Sequence, residues 1–349
     1  MPKKTRSRST PSRKKQHVAI TMQQDVQFQT KTTGLERLHF VHNALPELNL
    51  SEIDTSVLFL GKKLSAPFMV SCMTGGYADA LRINQHLAEV CEEMGIAMGV
   101  GSQRQAMEDK QYHRTFSVVR EVASTIPVVG NIGAAEIAKM RDIDPAKRLV
   151  DLIRADAFTV HLNPLQEFLQ PEGNTNFRGV LDGIAKLVAG LPVPVIVKEI
   201  GAGISKDVAR RLLEVGVKYI DIAGAGGTSW AGVETLRRGE RSFAEQFWDW
   251  GIPTSVALRE ASQLKSDGRE FTLIASGGIA TGTDAAKCIA LRADVVGSAR
   301  PMLTALHRGG KKGLRDLLGM WRQEFRGIMF LTGSATVAAL QKASLVEYA

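Results

Sequence analysis

The stretch Ala157-Phe158-Thr159-Val160-His161-Leu162-Asn163-Pro164-Leu165-Gln166-Glu167 decides the fold. Its first four residues are an apolar, β-prone run, and the next seven carry an imidazole, two amides and a carboxylate. Pro164 lacks the N–H that a further ladder bond needs, so pairing stops there and the polar groups are displayed from a loop. Glu167 offers hard oxygens to a cation, while His161 and Gln166 offer hydrogen bonds to a substrate. A lone histidine here would read as a satisfied core residue; four such groups on one loop read as a site.

Seven more apolar runs share the pattern of this one. Strands are expected at Pro67–Cys72, Ile96–Val100, Pro127–Asn131, Ala157–His161, Val193–Lys198, Lys218–Ile222, Phe271–Ser276 and Asp294–Gly297. Amphipathic segments such as Ala80–Met94, Val180–Ala189, Ser205–Val215, Val256–Ser266 and Thr283–Leu291 alternate with them. Eight β-then-α units with no strand left over predict an α/β protein of the (β/α)8 TIM-barrel type with an N-terminal extension. A doubly wound sheet is the alternative, but it usually has fewer units and one glycine-rich turn after its first strand. The expected division is a basic flexible arm at 1–17, a capping segment at 18–65 and the barrel at 66–349. Nearly fifty residues separate strands six and seven, and they include the aromatic-rich Phe243–Trp250, a candidate lid. Gly313–Ala349 reads as one or two helices completing the outer ring.

Composition fits this picture. The chain has 349 residues, 44% hydrophobic residues and 33 glycines, values that suit a packed α/β domain. It has no apolar run long enough to span a bilayer and no signal-like start, so a cytoplasmic protein is expected. Cys72, Cys91 and Cys288 have neither zinc-type nor redox-type spacing and read as small buried hydrophobes. The net charge of +8 is local: Lys3, Lys4, Arg6, Arg8, Arg13, Lys14 and Lys15 precede residue 18 without one acid. The remainder is nearly neutral, so a nucleic-acid surface is not indicated.

In a barrel the carboxy-terminal strand ends face the active site. Read in order they give Met73-Thr74-Gly75-Gly76, Gly101-Ser102-Gln103-Arg104, Gly130-Asn131-Ile132-Gly133, the opening loop, Lys198-Glu199, Gly224 to Trp230, Ser276-Gly277-Gly278-Ile279 and Gly297-Ser298-Ala299-Arg300. A glycine pair after strand seven, followed by backbone amides after strand eight, is the usual barrel phosphate cradle. Lys198, buried by position, needs an anionic or carbonyl partner. A flavin's N1–C2 edge would supply one; the competing reading pairs Lys198 with Glu199 or another strand-end acid.

Taken together, these strand ends resemble the type 2, FMN-dependent isopentenyl-diphosphate isomerases. The resemblance runs from about Arg13 to Ala339. It rests on Arg13-Lys14-x-x-His17 and on the motifs MTGG (73–76), GSQR (101–104), GNIG (130–133), HLNxxQE (161–167), VKE (197–199) and GGTSW (226–230). One departure is Gln16, where the family often has Glu. The resemblance implies FMN held by Met73, Thr74, Gly75, Ser102, Asn131, Lys198 and Thr228, with its phosphate on Gly277, Gly278, Ile279, Ala299 and Arg300. Arg13, Lys14, His17, Ser102, Gln103, Arg104, Asn163 and Gln166 would meet the substrate, and Glu167 would bind Mg2+ shared with its diphosphate. The basic arm would then fold over the diphosphate as a charged lid. A homo-oligomer, tetramer or octamer, and NADPH as flavin reductant are implied too.

The expected reaction is a 1,3-allylic proton shift without net redox change. Gln166, His161 and Glu234 are the candidates for moving or orienting the proton, Gln166 more as a positioner because an amide is a poor acid or base. For Glu234 a lid salt bridge is an equal alternative. A 2-hydroxy-acid oxidase would need a histidine after strand six, and none lies between His161 and His307. An IMP-dehydrogenase-like enzyme would need a cysteine there, and none lies between Cys91 and Cys288. A non-catalytic phosphate-ligand-binding barrel would be colourless.

Overall fold

Every second residue of eight short strands turns toward a common axis, and the strands close into a parallel barrel in chain order. The strands are β1 (Phe68–Val70), β2 (Ala97–Gly99), β3 (Val128–Gly133), β4 (Ala157–Leu162), β5 (Val195–Glu199), β6 (Tyr219–Asp221), β7 (Thr272–Ala275) and β8 (Val295–Ser298). This computed structural model describes residues 10–238 and 243–348. Lys3, Lys4, Arg6 and Arg8 of the expected arm lie outside the described residues. Each expected strand appears, with ends at most two residues from those expected, and the helix at Ala80–Met94 has the expected bounds.

Inside the barrel, Met69, Ala97, Val129, Ala157, Ile196, Ile274 and Val295 form one buried apolar cluster, with Tyr219 packed against it. Outward residues such as Phe68, Phe158 and Val160 join a second, larger cluster under the helices. There Phe68 meets Trp321 and Phe325 edge-on at 5.9 and 5.5 Å.

The capping segment closes the amino-terminal end of the barrel. Val57–Phe59 and Lys62–Leu64 form a hairpin whose two turn residues, Leu60 (φ 51°) and Gly61 (φ 76°), are both left-handed, as a type I′ turn requires. Phe59 and Leu64 insert into the inner cluster while Leu58 faces solvent. At the other end of the chain, the helix Arg300–Leu331 breaks at Gly310 (φ 59°, ψ −157°). Beyond it, Leu345–Val346 pairs with His39–Phe40. A two-residue strand carries no periodicity, so the sequence gives no sign of it.

Residues 10–23 are a helix, Thr10–Gln23, and the boundary expected at residue 17 falls inside it. The chain then runs along the loop after β6. Ser229 N donates to Val26 O at 2.7 Å, and the Asp249 carboxylate accepts the N–H groups of Gln29 and Thr30, each at 2.8 Å. This binding carries the first helix across the carboxy-terminal mouth of the barrel.

The hairpin's role gives a stability prediction. Phe59→Ala empties a plug position and is expected to cost about 3–5 kcal/mol in urea unfolding. Leu58→Ala, on the exposed side of the same strand, is expected to stay within about 0.5 kcal/mol of the parent.

Candidate active site

The layer of inward residues two positions beyond the apolar cluster is polar or small: Ser71, Gly99, Asn131, Thr159, Lys198, Asp221, Ser276 and Gly297. Of these, Ser71, Asn131, Lys198, Ser276 and Gly297 line a cavity of about 410 Å3 that opens at the carboxy-terminal mouth, within the range of small-molecule and cofactor sites. Lys198 (β5) and Asp221 (β6) are direct register partners, and Lys198 Nζ lies 3.6 Å from Asp221 Oδ2. Glu199 is not the ion-pair partner of Lys198, although its main-chain carbonyl accepts a hydrogen bond from Nζ. Its carboxylate is taken by the N–H groups of Ile200, Gly201 and Ala202, at 2.6, 2.6 and 2.5 Å. Burial still raises the Glu199 carboxyl to about 7, against those amides. Cys72, read from sequence as a core hydrophobe, lines the cavity, and burial pushes its thiol up to about 11.

One wall is almost pure backbone. Gly277 and Gly278 have φ of 98° and 73°, and Gly224, Gly226 and Gly227 of the β6 loop pack directly on them. A Cβ on Gly227 would lie 2.5 Å from Gly278 N, and one on Gly226 would strike the main chain of Thr33. Among the described residues, the amide N–H groups of Gly278, Ile279, Ala299 and Arg300 meet no protein acceptor, and all four residues line the cavity. Ala299 caps the helix that begins at Arg300 with Pro301 in its first turn, so these donors sit where a helix N-terminus favours an anion. A flavin phosphate fits this cradle. Ser71 lines the floor, and its buried Oγ has no partner among the described residues. Met73, Thr74, Gly75, Ser102, Asn131 and Thr228 all border the same space.

The opening stretch lies on the opposite side. Its polar groups stand on a short helix, Pro164–Leu169, rather than the expected loop, because Pro at a first helical position has its φ already set. His161 remains on β4 and bonds through Nδ1 to Asn131 Oδ1 at 2.9 Å. With that oxygen accepting, the ring proton sits on Nδ1 and Nε2 is left as an acceptor. Burial, reinforced by Lys198 and Lys14, lowers His161 to about 3, so the ring is neutral. Asn163 Nδ2 donates to Gln166 Oε1 and Glu167 Oε1, both at 3.0 Å, and Gln170 Nε2 donates to Glu167 Oε2 at 3.0 Å. Asn163 and Gln170 line the cavity with Glu167, and their Oδ1 and Oε1 are buried with no partner among the described residues. The Glu167 carboxylate, which also accepts from Asn174 N at 2.5 Å, is a hard oxygen donor of the kind a divalent cation takes while water and ligand phosphates fill the rest of its shell. Among the described residues no cluster of three His, Cys, Asp or Glu exists to chelate a metal alone.

The first helix forms the roof and brings Arg13, Lys14 and His17 to the cavity. Lys14 Nζ donates to Gly75 O at 2.9 Å and Ser102 O at 2.6 Å. Burial lowers its pKa to about 7, with Arg13 and Arg104 adding to the shift. His17 Nε2 bonds to Glu234 Oε1 at 2.9 Å, and its ring meets Trp230 edge-on at 5.4 Å. Glu234 is therefore not a surface residue of the lid: it is fully buried behind His17, outside the cavity lining. Its Oε2 accepts from Arg237 Nε at 2.7 Å, and Arg237 grips Glu172 through two bonds of 2.8 and 3.0 Å. Glu172 in turn lies 3.8 Å from Arg13. Arg104 reaches the cavity between Glu108 and Glu136.

Gln103, like Glu234, is a candidate that the fold keeps out of the cavity lining. It is fully buried, donates to Leu149 O and accepts from Asn131 N, both at 3.0 Å, so it holds Asn131 rather than a ligand. Asp221, Glu172 and Arg237 were missed. Asp221 had a usable signal, since it follows Tyr219 at the strand's period of two. The other two are joined only by tertiary packing.

The model of the FMN-dependent dehydrogenase family matches residues 6–120 and 154–347. An isopentenyl-diphosphate delta-isomerase of Pelodictyon phaeoclathratiforme is 47% identical over 98% of both chains. Those of Chlorobium luteolum and Nostoc sp. are 49% and 43% identical, covering 97% and 98% of this chain and 96% and 97% of theirs. Among solved structures, a mandelate oxidase superposes with a TM-score of 0.65 at 18% identity, covering 95% of this chain and 92% of its own. A lactate oxidase of Pediococcus acidilactici gives 0.69 at 15%, covering 95% and 87%. At such identity these two speak for the barrel alone. The chain belongs to the FMN-dependent, type 2 isopentenyl-diphosphate delta-isomerases, within the wider FMN-dependent dehydrogenase family.

Proposed function

We propose that this enzyme converts isopentenyl diphosphate to dimethylallyl diphosphate by a 1,3-allylic proton shift, with reduced FMN and Mg2+ in the cavity. One observation carries the reading. A single cavity joins an amide-lined cradle and the buried Lys198 to a cationic roof of Arg13, Lys14 and Arg104 beside Glu167. The first pair of features suits a phosphorylated anionic ring, and the second suits a polyanion with a metal.

In this reading Gly277, Gly278, Ile279, Ala299 and Arg300 hold the flavin phosphate. Met73, Thr74, Gly75, Ser102, Asn131, Lys198 and Thr228 hold the rest. Reduced FMN, supplied with electrons by NADPH, brings an acidic N–H and an electron-rich face that shelters positive charge. The chain's own residues do the remaining work. Arg13, Lys14, Arg104 and a Mg2+ ion on Glu167 anchor the diphosphate, which orients the alkene through groups that do not react. Asn163 fixes Gln166, which aligns the substrate. His161, neutral at physiological pH, contributes a hydrogen bond rather than an imidazolium proton. His17, fixed by Glu234, and Trp230 close the roof and keep water from a developing cation. A homo-oligomer is the proposed working form.

Anaerobic incubation with NADPH, Mg2+ and isopentenyl diphosphate should yield the dimethylallyl isomer. Absence of product with the flavin fully reduced would overturn the assignment.

Lys14 gives a pH dependence with a definite sign. Its free-state pKa of about 7 must rise when a polyanion binds, because the ammonium form is then favoured. Diphosphate affinity should therefore fall as pH rises above 7, by at most about tenfold per unit. Calorimetry at pH 8 in buffers of different ionisation enthalpy should register close to one proton taken up. Lys14→Arg, which stays charged, should abolish that uptake.

Glu167→Gln should leave flavin absorbance intact and raise the Mg2+ concentration for half-maximal activity by at least about tenfold. An unchanged Mg2+ titration would remove Glu167 from the metal site.

A further inference from the structure

We propose that Asp221 is a positioning residue for the flavin end of the site. It fixes the Lys198 ammonium beneath the cavity and sets how much positive charge the bound ring experiences. The inference rests on the flavin reading given above.

The geometry singles out this carboxylate. Lys198 is only 8% exposed and Asp221 only 3%, and the two are direct partners across the β5–β6 ladder. Lys198 Nζ has two partners, Glu199 O and Asp221 Oδ2. Glu199 supplies only its carbonyl, since its carboxylate faces three consecutive amides. Among the described residues, Asp221 is thus the one carboxylate within ion-pair distance of the cavity lysine.

Asp221 is itself held from two further sides. Ser276 Oγ donates to Oδ1 at 2.6 Å, and Ala223 N donates to the same oxygen at 3.2 Å. Ala223 is a non-glycine residue with φ of 34°, a conformation kept only where the surroundings enforce it. The chain Ser276–Asp221–Lys198 therefore runs from the end of β7 through β6 to β5, and its two ends line the cavity.

The electrostatic consequence has a direction. Reduction places negative charge on the ring, and a nearby cation favours it. A buried carboxylate 3.6 Å from that cation cancels much of its field. Removing the carboxylate's charge should make the ring easier to reduce, and removing the lysine's charge should make it harder. Asp221 acts on the ring chiefly by fixing and offsetting that ammonium, so once the lysine is gone its replacement should change the potential less.

The test is the midpoint potential of bound FMN, measured by anaerobic spectroelectrochemistry on the purified holoenzyme and its variants. Asp221→Asn should shift the potential to a more positive value and Lys198→Met to a more negative one. In the Lys198→Met background, Asp221→Asn should give a clearly smaller shift. An unshifted Asp221→Asn potential, or an equal shift in both backgrounds, overturns the proposal. If Asp221→Asn does not fold, Ser276→Ala tests the same chain from its other end. Losing that hydrogen bond strengthens the carboxylate's hold on Lys198, so the potential should fall, and a value unchanged from the parent overturns the proposal. A parent protein that binds no FMN would instead overturn the flavin reading itself.

Discussion

The two-residue pleat of a closed parallel barrel is the constraint on which the site depends. Closure leaves no edge, so the inward residues of all eight strands share their layers. One layer is apolar and is sealed from below by Phe59 and Leu64. Two residues further along every strand, the side chains change to hydroxyl, amide, ammonium, carboxylate or hydrogen. Five of those eight residues line the cavity. A slip of one residue in any strand would exchange its inner and outer sets, putting groups such as Phe158 inside and Thr159 under the helices. The apolar layer beneath thereby fixes the position of Lys198 as firmly as its own partners do.

The roof is held by different physics. The first helix is mostly polar, and its place over the mouth comes from a connected series of hydrogen bonds and ion pairs: His17 to Glu234, Glu234 to Arg237, Arg237 to Glu172, and Glu172 toward Arg13. Buried, hydrogen-bonded pairs of this kind are specific in geometry more than they are strongly stabilising. Residues 26–31 add backbone bonds to the β6 loop and to Asp249. Floor and roof therefore rest on different forces, apolar packing in one and largely buried polar pairs in the other, and salt screens neither strongly.

Much of this was legible in the sequence because barrel strands state their ends. Ala157 to His161 reads as a strand, Pro164 as its stop, and Gly277-Gly278 as a cradle, all from local chemistry. The limits are physical too. Gln103 sits between Ser102 and Arg104, both on the cavity, yet turns inward to bond Leu149 and Asn131; no local pattern separates the three. Glu234 has the composition of a lid salt bridge and is buried only because His17, more than two hundred residues away, folds over it. Glu172 and Arg237 become partners only after the β4 and β6 loops meet. The arm's seven cations suggested an extended tail, and nothing in their charge foretold that residues 10–23 would be helical.

The meeting of the Gly224–Gly227 loop, Gly277–Gly278 and Thr33 constrains how this protein can change. What a side chain would strike at Gly224, Gly226, Gly227 and Gly277 includes main chain in each case. A collision with a side chain can be relieved by shrinking the neighbour. A collision with main chain has no such remedy, because every residue type carries the same backbone. These loops are therefore closed to stepwise exploration: a variant library that randomises them to widen the flavin pocket would consist largely of misassembled barrels. The residues facing the substrate from the β4 helix and the first helix stay open to substitution. New specificity in this scaffold would have to be sought on that side.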